Sequence, residues 1–194
     1  MLRGVALPSK KPATYEDLLA VPEHLVAEIV DDELYTSPRP AAPHALAATN
    51  LVVELAGRFG FGREGGPGGW VILIEPELHI VGQVMVPDLA GWRRERMPEI
   101  ANAPFFDLAP DWLCEVISPS TGALDRAKKM PHYARAGVGH VWLADPTPKT
   151  LEVYRLDGGG SVGWRLVATY EGDAVIEAAP FDAVALDLTR LWAR

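Results

Sequence analysis

The run Trp112–Ile117, "WLCEVI", constrains the fold more than any other segment of the chain. It is short, apolar and bracketed by Pro110 and Pro119, which suits a central strand covered on both faces. Yet it carries Glu115 in its middle. An ionised carboxylate in such a place is costly unless it is paired, hydrogen-bonded or bound to a cation. A second acid, Asp88, ends another apolar run, "VMVPD". Two acids on neighbouring strands would repel. A divalent ion resolves this, because Mg²⁺ takes one or two carboxylates as hard oxygen ligands and completes its shell with water and phosphate.

The rest of the chain supplies elements for an α/β domain around a mixed sheet. "TYEDLLAVPEH" offers Thr14 as a helix N-cap with Asp17 three residues on, and Pro22 ends that helix. "LVAEIVDDELYTS" reads as two strands about a turn at Asp31 and Asp32. In "PHALAATNLVVELAGRFG", Leu46, Leu51, Val52 and Leu55 have helical spacing, which stops near Gly60. "REGGPGGW" is a loop, and "WVILIEPELHIVGQVMVPDLAGW" reads as strands with a turn at Gly82. "HVWLADP" is a buried strand, and "TLEVYRL", "DGGG" and "WRLVATY" form a hairpin. "TGALDRAKKMPHYARAGV" has helical spacing closed by Gly137. Pro131 is expected to kink or break it, at a cost of about 3 kcal/mol in a regular interior. In an unbroken helix Asp125, Lys129 and Tyr133 share one face, so Lys129 can point back to the end of the Glu115 strand. A lysine there orients an attacking water or offsets transition-state charge.

Neither repeats nor a linker divide the chain, so the expectation is a basic tail over residues 1–12 and a single domain over 13–194. With 194 residues, 48% of them hydrophobic, one sizeable core is affordable. The net charge of −8 argues against a general nucleic-acid coat. Any nucleic-acid contact needs a local basic patch, and the densest run near the acids is Arg93, Arg94 and Arg96 in "RRER", which otherwise reads as a solvated loop. The single cysteine, Cys114, excludes an internal disulfide and reads as a core residue. With no signal-peptide core and no membrane-length run, the sequence-based expectation is a soluble, cytoplasmic protein. His24, His79, His132 and His140 are too dispersed for zinc, "GGPGG" lacks the Lys-Ser/Thr of a phosphate loop, and "ISPST" lacks a nucleophile elbow.

In "VPDL", "APDWLCEVISPST", "LDRAKKMPHYARAGVGHVWLADP" and "LEVYRL", and in the stretch from "TYEDLL" to "PAAPH", the sequence resembles the Uma2 family. That family, also called DUF820, belongs to the PD-(D/E)XK nuclease superfamily. The resemblance implies a restriction-endonuclease-like mixed sheet flanked by helices, with Pro87-Asp88 as the PD element and Glu115 as the second acid. The motif lysine would fall at position 117, where this chain has Ile117. The family pattern implies that Lys129 takes its place from the following helix, with Lys128 the alternative if Pro131 resets the helix. Glu28 matches the acid ahead of the core sheet and His44 the histidine that opens the next helix, while Asp31-Asp32 replaces the usual Asp-Gly turn.

The implied activity is a Mg²⁺-dependent DNA endonuclease in which Mn²⁺ can substitute. Asp88 and Glu115 would hold the metal, Lys129 would assist the water, Glu28 and His44 would complete the site, and Arg93, Arg94 and Arg96 would contact phosphate. One rival is an inactive nuclease-fold binding module whose acids form a structural network, with Glu115 salt-bridged to an arginine of "RRER". Another is a metal-free hydrolase using the carboxylates as acid and base. A homodimer joined through the "LEVYRL" hairpin would suit cutting of both strands.

Overall fold

A computed structural model describes residues 11–158 and 162–192, so most of the basic tail and the tip of the "DGGG" turn lie outside the described residues. Thr14 caps α1 (Tyr15–Leu19): its hydroxyl accepts from the Asp17 amide, and the Asp17 carboxylate accepts from the Thr14 amide. A four-stranded sheet follows, built from β1 (Leu25–Val30), β2 (Glu33–Pro38), β4 (Leu78–Ile80) and β5 (Gln83–Met85), in the order β2-β1-β5-β4. The β1–β2 turn holds Asp31 and Asp32 at φ of 53° and 62°.

The larger sheet contains β3 (Trp70–Ile74), β6 (Leu89–Arg93), β7 (Trp112–Val116), β8 (His140–Asp145), β9 (Thr150–Asp157) and β10 (Gly163–Glu171), ordered β10-β9-β8-β7-β6-β3. It is mixed, because β7 and β8 are parallel while the other pairs are antiparallel. The strand carrying "LEVYRL" is β9, which is paired on both sides, so the hairpin's edge is β10 and not the stretch that the sequence singles out. β10 carries a register shift between Leu166 and Ala168. The chain closes with a short ladder of β11 (Val175–Ile176) and β12 (Leu186–Asp187), followed by α5 (Leu188–Leu191). No helix among the described residues is long and apolar enough to cross a membrane.

Side chains alternate across β7, and that alternation places the acid. Trp112, Cys114 and Val116 face a core shared with Leu51 and Leu55 of α2 (Ala42–Leu55), with Phe59, and with Phe181, Leu188 and Trp192 near the C-terminus. Leu113 and Ile117 face the opposite core, with Val141, Leu143, Met130 and Tyr133. Glu115 has the parity of Leu113 and Ile117, so it meets the helix after β7 and not α2. Cys114 is fully buried on the α2 side, and burial pushes its thiol well above its usual pKa.

The helix after β7 does not break at Pro131. It runs as α3 (Gly122–Leu124), a π-helical turn (Asp125–Lys129) and α4 (Met130–Arg135). The wider turn resets the hydrogen-bond pattern just before the proline. Pro131 thereby falls in the first turn of α4, where its missing N–H costs no helical bond. Gly137, at φ 80°, ends the helix in the left-handed region that glycine tolerates best.

The α2-side core converges on Phe181, whose ring centre lies 4.7 to 5.6 Å from those of Phe59, Trp70, Trp112 and Trp142. Phe181→Ala should therefore cost about 3–5 kcal/mol, read by urea denaturation. A loss below about 1 kcal/mol would show that this cluster does not support β7.

Candidate active site

The larger sheet brings the two acids level. Leu89 pairs with Cys114 in the antiparallel β6–β7 ladder, so the residue before Leu89 falls opposite the residue after Cys114. Asp88, in the bend leading into β6, is anchored there: its Oδ2 accepts the Val116 amide at 2.7 Å. Its Oδ1 lies 3.3 Å from Nε2 of His44, which projects from the first turn of α2. Burial opposes a positive charge on His44, but the Asp88 hydrogen bond and charge outweigh it and raise the imidazole's pKa.

Lys129 reaches the other acids from the π-helical turn. Its Nζ lies 2.8 Å from Glu28 Oε1, 2.9 Å from Glu115 Oε1 and 3.4 Å from Asp125 Oδ1, with only 3% of the side chain exposed. Glu28 comes from β1 and is fixed a second time, because its Oε1 accepts the Val86 amide at 2.7 Å. Tyr133, fully buried one turn after Lys129, donates its hydroxyl to Glu115 Oε1 at 2.6 Å. Both groups thus engage the same oxygen of Glu115.

Charge in this space is strongly shaped by burial. Desolvation pushes Glu115 well above the usual carboxylate range; Lys129 opposes this, while Asp125, Asp88 and Glu28 add to it. Asp125 is raised for the same leading reason. Desolvation would lower the Lys129 pKa, but Glu115 and Glu28 more than offset it, so the ammonium holds its proton beyond the ordinary lysine range.

These residues line one cavity of about 320 Å³, whose wall includes Glu28, His44, Asp88, Glu115, Asp125 and Lys129. Among the described residues no group of three or more His, Cys, Asp or Glu side chains forms a ready metal cage. Mg²⁺ does not require one, since one or two protein carboxylates with water suffice. Asp88 and Glu115 supply two hard oxygen donors at one end of β7. The wall also carries more carboxylate than cationic charge, so the residues present fit a divalent ion.

Sequence reasoning located some of this and missed the rest. Ile117, at the motif lysine's position, packs in the core against the same helix, with its Cγ2 close over Gly122. Lys128 points away from the cavity, toward Asp31, Glu33 and the Tyr35 ring. The buried partner of Glu115 is Lys129 and not an arginine of "RRER". Arg93, Arg94 and Arg96 are not brought to the acids. β6 is five residues long, so at ~3.3 Å per residue Arg93 lies about 16 Å along the strand from Asp88. There Arg93 stacks on Trp70, and Arg96 pairs with Asp111 at 2.7 Å. The guanidinium on the cavity wall belongs instead to Arg39, held 3.3 Å from Glu75. Asp125, read from sequence only as a helical partner of Lys129, is itself buried in the cluster.

Removing the ammonium leaves Glu28, Glu115 and Asp125 facing one another. Lys129→Met should therefore destabilise the fold by about 3–5 kcal/mol near pH 8. An acid whose pKa is raised in the folded state contributes stability at low pH that is lost as pH rises, and Lys129 is what opposes that rise at Glu115 and Asp125. The deficit should accordingly shrink toward pH 5, as followed by urea denaturation at both pH values. A deficit that does not change with pH would contradict this charge assignment.

Comparisons with known proteins agree with this architecture. A crystal structure described as "a putative nuclease belonging to DUF820 from Anabaena variabilis ATCC 29413" superposes with a TM-score of 0.73 at 23% sequence identity, covering 94% of this chain and 98% of that one. At that identity the likeness shows the fold alone, an α/β architecture with a large mixed sheet and a few helices. No curated protein matches the chain. The family model described as "Putative restriction endonuclease" matches residues 12–189, and the chain belongs to that family, Uma2.

Proposed function

We propose that this protein is a metal-dependent endonuclease that hydrolyses phosphodiester bonds in DNA. The observation that carries the reading is the pairing of Asp88 and Glu115 at one end of β7, with the Lys129 ammonium 2.9 Å from Glu115 inside the same cavity. Family membership supports a nuclease-like function in general terms.

Asp88 and Glu115 would hold Mg²⁺, or Mn²⁺ in its place. A divalent ion bound there supplies an activated water and stabilises charge on a phosphoryl oxygen. The Val116 amide holds Asp88 in place, and Tyr133 with Lys129 fixes Glu115 through Oε1, so neither carboxylate needs to reorganise. Lys129 places positive charge beside the attacked phosphate and orients the water. Glu28 and Asp125 hold that ammonium, and His44 supports Asp88 from the opposite wall. Arg39 is the exposed cation on the cavity wall that would meet the substrate's phosphate. Arg93, Arg94 and Arg96 would reach only flanking phosphates of a longer substrate.

A binding module on the same fold is the rival reading, favoured by the extent to which Lys129 already neutralises Glu28, Glu115 and Asp125 without a metal. Calorimetric titration of Mn²⁺ and cleavage of plasmid and single-stranded DNA separate the two, using wild type and Asp88→Ala. The expected result is metal-dependent nicking by wild type that chelation abolishes, with binding and cleavage falling together by at least about 100-fold in the variant. Metal binding without cleavage would favour the binding module. Absence of metal binding, with or without DNA, would overturn the nuclease reading.

A further inference from the structure

The β1–β2 turn carries backbone geometry that its residues do not favour. Asp31 and Asp32 both have positive φ, where glycine is the residue that sits without cost. A non-glycine pair in that conformation invites the question of what the side chains do. The Asp31 carboxylate, half exposed, reaches across to the helix after β7, where its Oδ1 lies 2.9 Å from Nε2 of the buried His132. Nη2 of Arg135 approaches Nδ1 of the same imidazole at 2.7 Å. The same Nη2 lies 3.2 Å from Nε2, and because an ionised carboxylate only accepts, the Asp31 contact is a hydrogen bond when Nε2 carries the ring proton. Lys128 adds a longer contact to Asp31 at 3.5 Å, and the Asp31 amide donates to Gln83 Oε1 at 2.7 Å, tying the turn to β5.

This contact joins the same two elements as the site. Glu28 and Asp31 lie on β1 and its turn; Lys129 and His132 lie one turn apart on the helix. The two segments are linked by Glu28–Lys129 at 2.8 Å inside the cavity and, outside it, by Asp31–His132 at 2.9 Å, with Lys128 making longer contacts to Asp31 and Glu33 at 3.5 and 3.7 Å. β1 belongs to the smaller sheet, and its ladder to β5 is a single register pair, Ile29 with Val84. With so short a ladder, the placement of Glu28 against Lys129 depends on what else holds β1 to the helix.

We infer that Asp31 and His132 are positioning residues: their hydrogen bond clamps the β1–β2 hairpin to the helix and so seats Glu28 between the Val86 amide and Lys129. The Asp31-Asp32 turn serves that clamp, since a glycine at position 31 would suit the backbone better but could not reach His132. The functional consequence rests on the nuclease reading above, whereas the seating of Glu28 does not.

The test uses Asp31→Gly, which relaxes the turn and removes the carboxylate, and Asp31→Asn, whose side-chain oxygen can still accept from Nε2. Amide hydrogen exchange at Val86 reports whether Glu28 is in place, and exchange at Val116, bonded to Asp88, serves as the internal control. Asp31→Gly should melt no lower than wild type, yet exchange about tenfold faster at Val86 with Val116 unchanged. Mn²⁺ affinity and DNA cleavage should fall by about tenfold, and Asp31→Asn should restore all three readouts. Unchanged Val86 exchange in Asp31→Gly, or an equal loss in Asp31→Asn, would overturn the clamp. If Val86 responds as stated while wild type neither binds Mn²⁺ nor cuts DNA, the clamp stands and the nuclease reading fails.

Discussion

A single buried ammonium organises this molecule. Lys129 is enclosed by Glu28 from the smaller sheet, Glu115 from the larger one and Asp125 from its own helix, so three separate elements meet at one Nζ. Taking such charges out of water costs several kcal/mol per ion, and well-packed apolar residues would stabilise the same space as well or better. A core of this size does not need an ionic centre in order to fold. The arrangement makes physical sense as a poised electrostatic environment at the wall of a cavity, where fixed charges act without reorganising.

The sheet determines where that environment can be. Because β6 runs antiparallel to β7, the start of one strand lies beside the end of the other, and an acid on each meets at one edge. Because β7 is parallel to β8, the chain must cross over between them, and the crossover helix passes back over that edge. Period-two alternation then turns Glu115 toward the helix and Cys114 toward α2. Topology thus supplies two carboxylates and a cation-bearing helix at one spot, and the individual side chains refine it.

Much of this was legible in the chain itself, for a physical reason. A carboxylate inside "WLCEVI" violates local apolar patterning, so Glu115 stands out without any neighbour being known. Asp88 stands out similarly, and the spacing of Lys129 and Tyr133 announces a shared helical face. What was illegible depends on contacts between distant segments. Nothing local to Glu28 reveals that the β4–β5 hairpin will deliver the Val86 amide to it. Nothing local to "RRER" reveals that its arginines fall at the wrong end of β6, because charge density along a sequence carries no direction. Pro131 misled in another way: the cost of an interior proline assumes a regular α-helix, and a π-helical turn removes that assumption.

The placement of Cys114 gives the protein a built-in witness to its own opening. The thiol is the only one in the chain, is completely buried, and neighbours Glu115 on β7. Burial holds it in the unreactive protonated form, so a thiol reagent finds no target while the sheet is closed. Labelling at this sulfur would require the central strand to part from α2, which is also the motion that would dismantle the acid pair on its other edge. The rate of that chemistry therefore measures, without any added probe, how often the strand carrying Glu115 comes free.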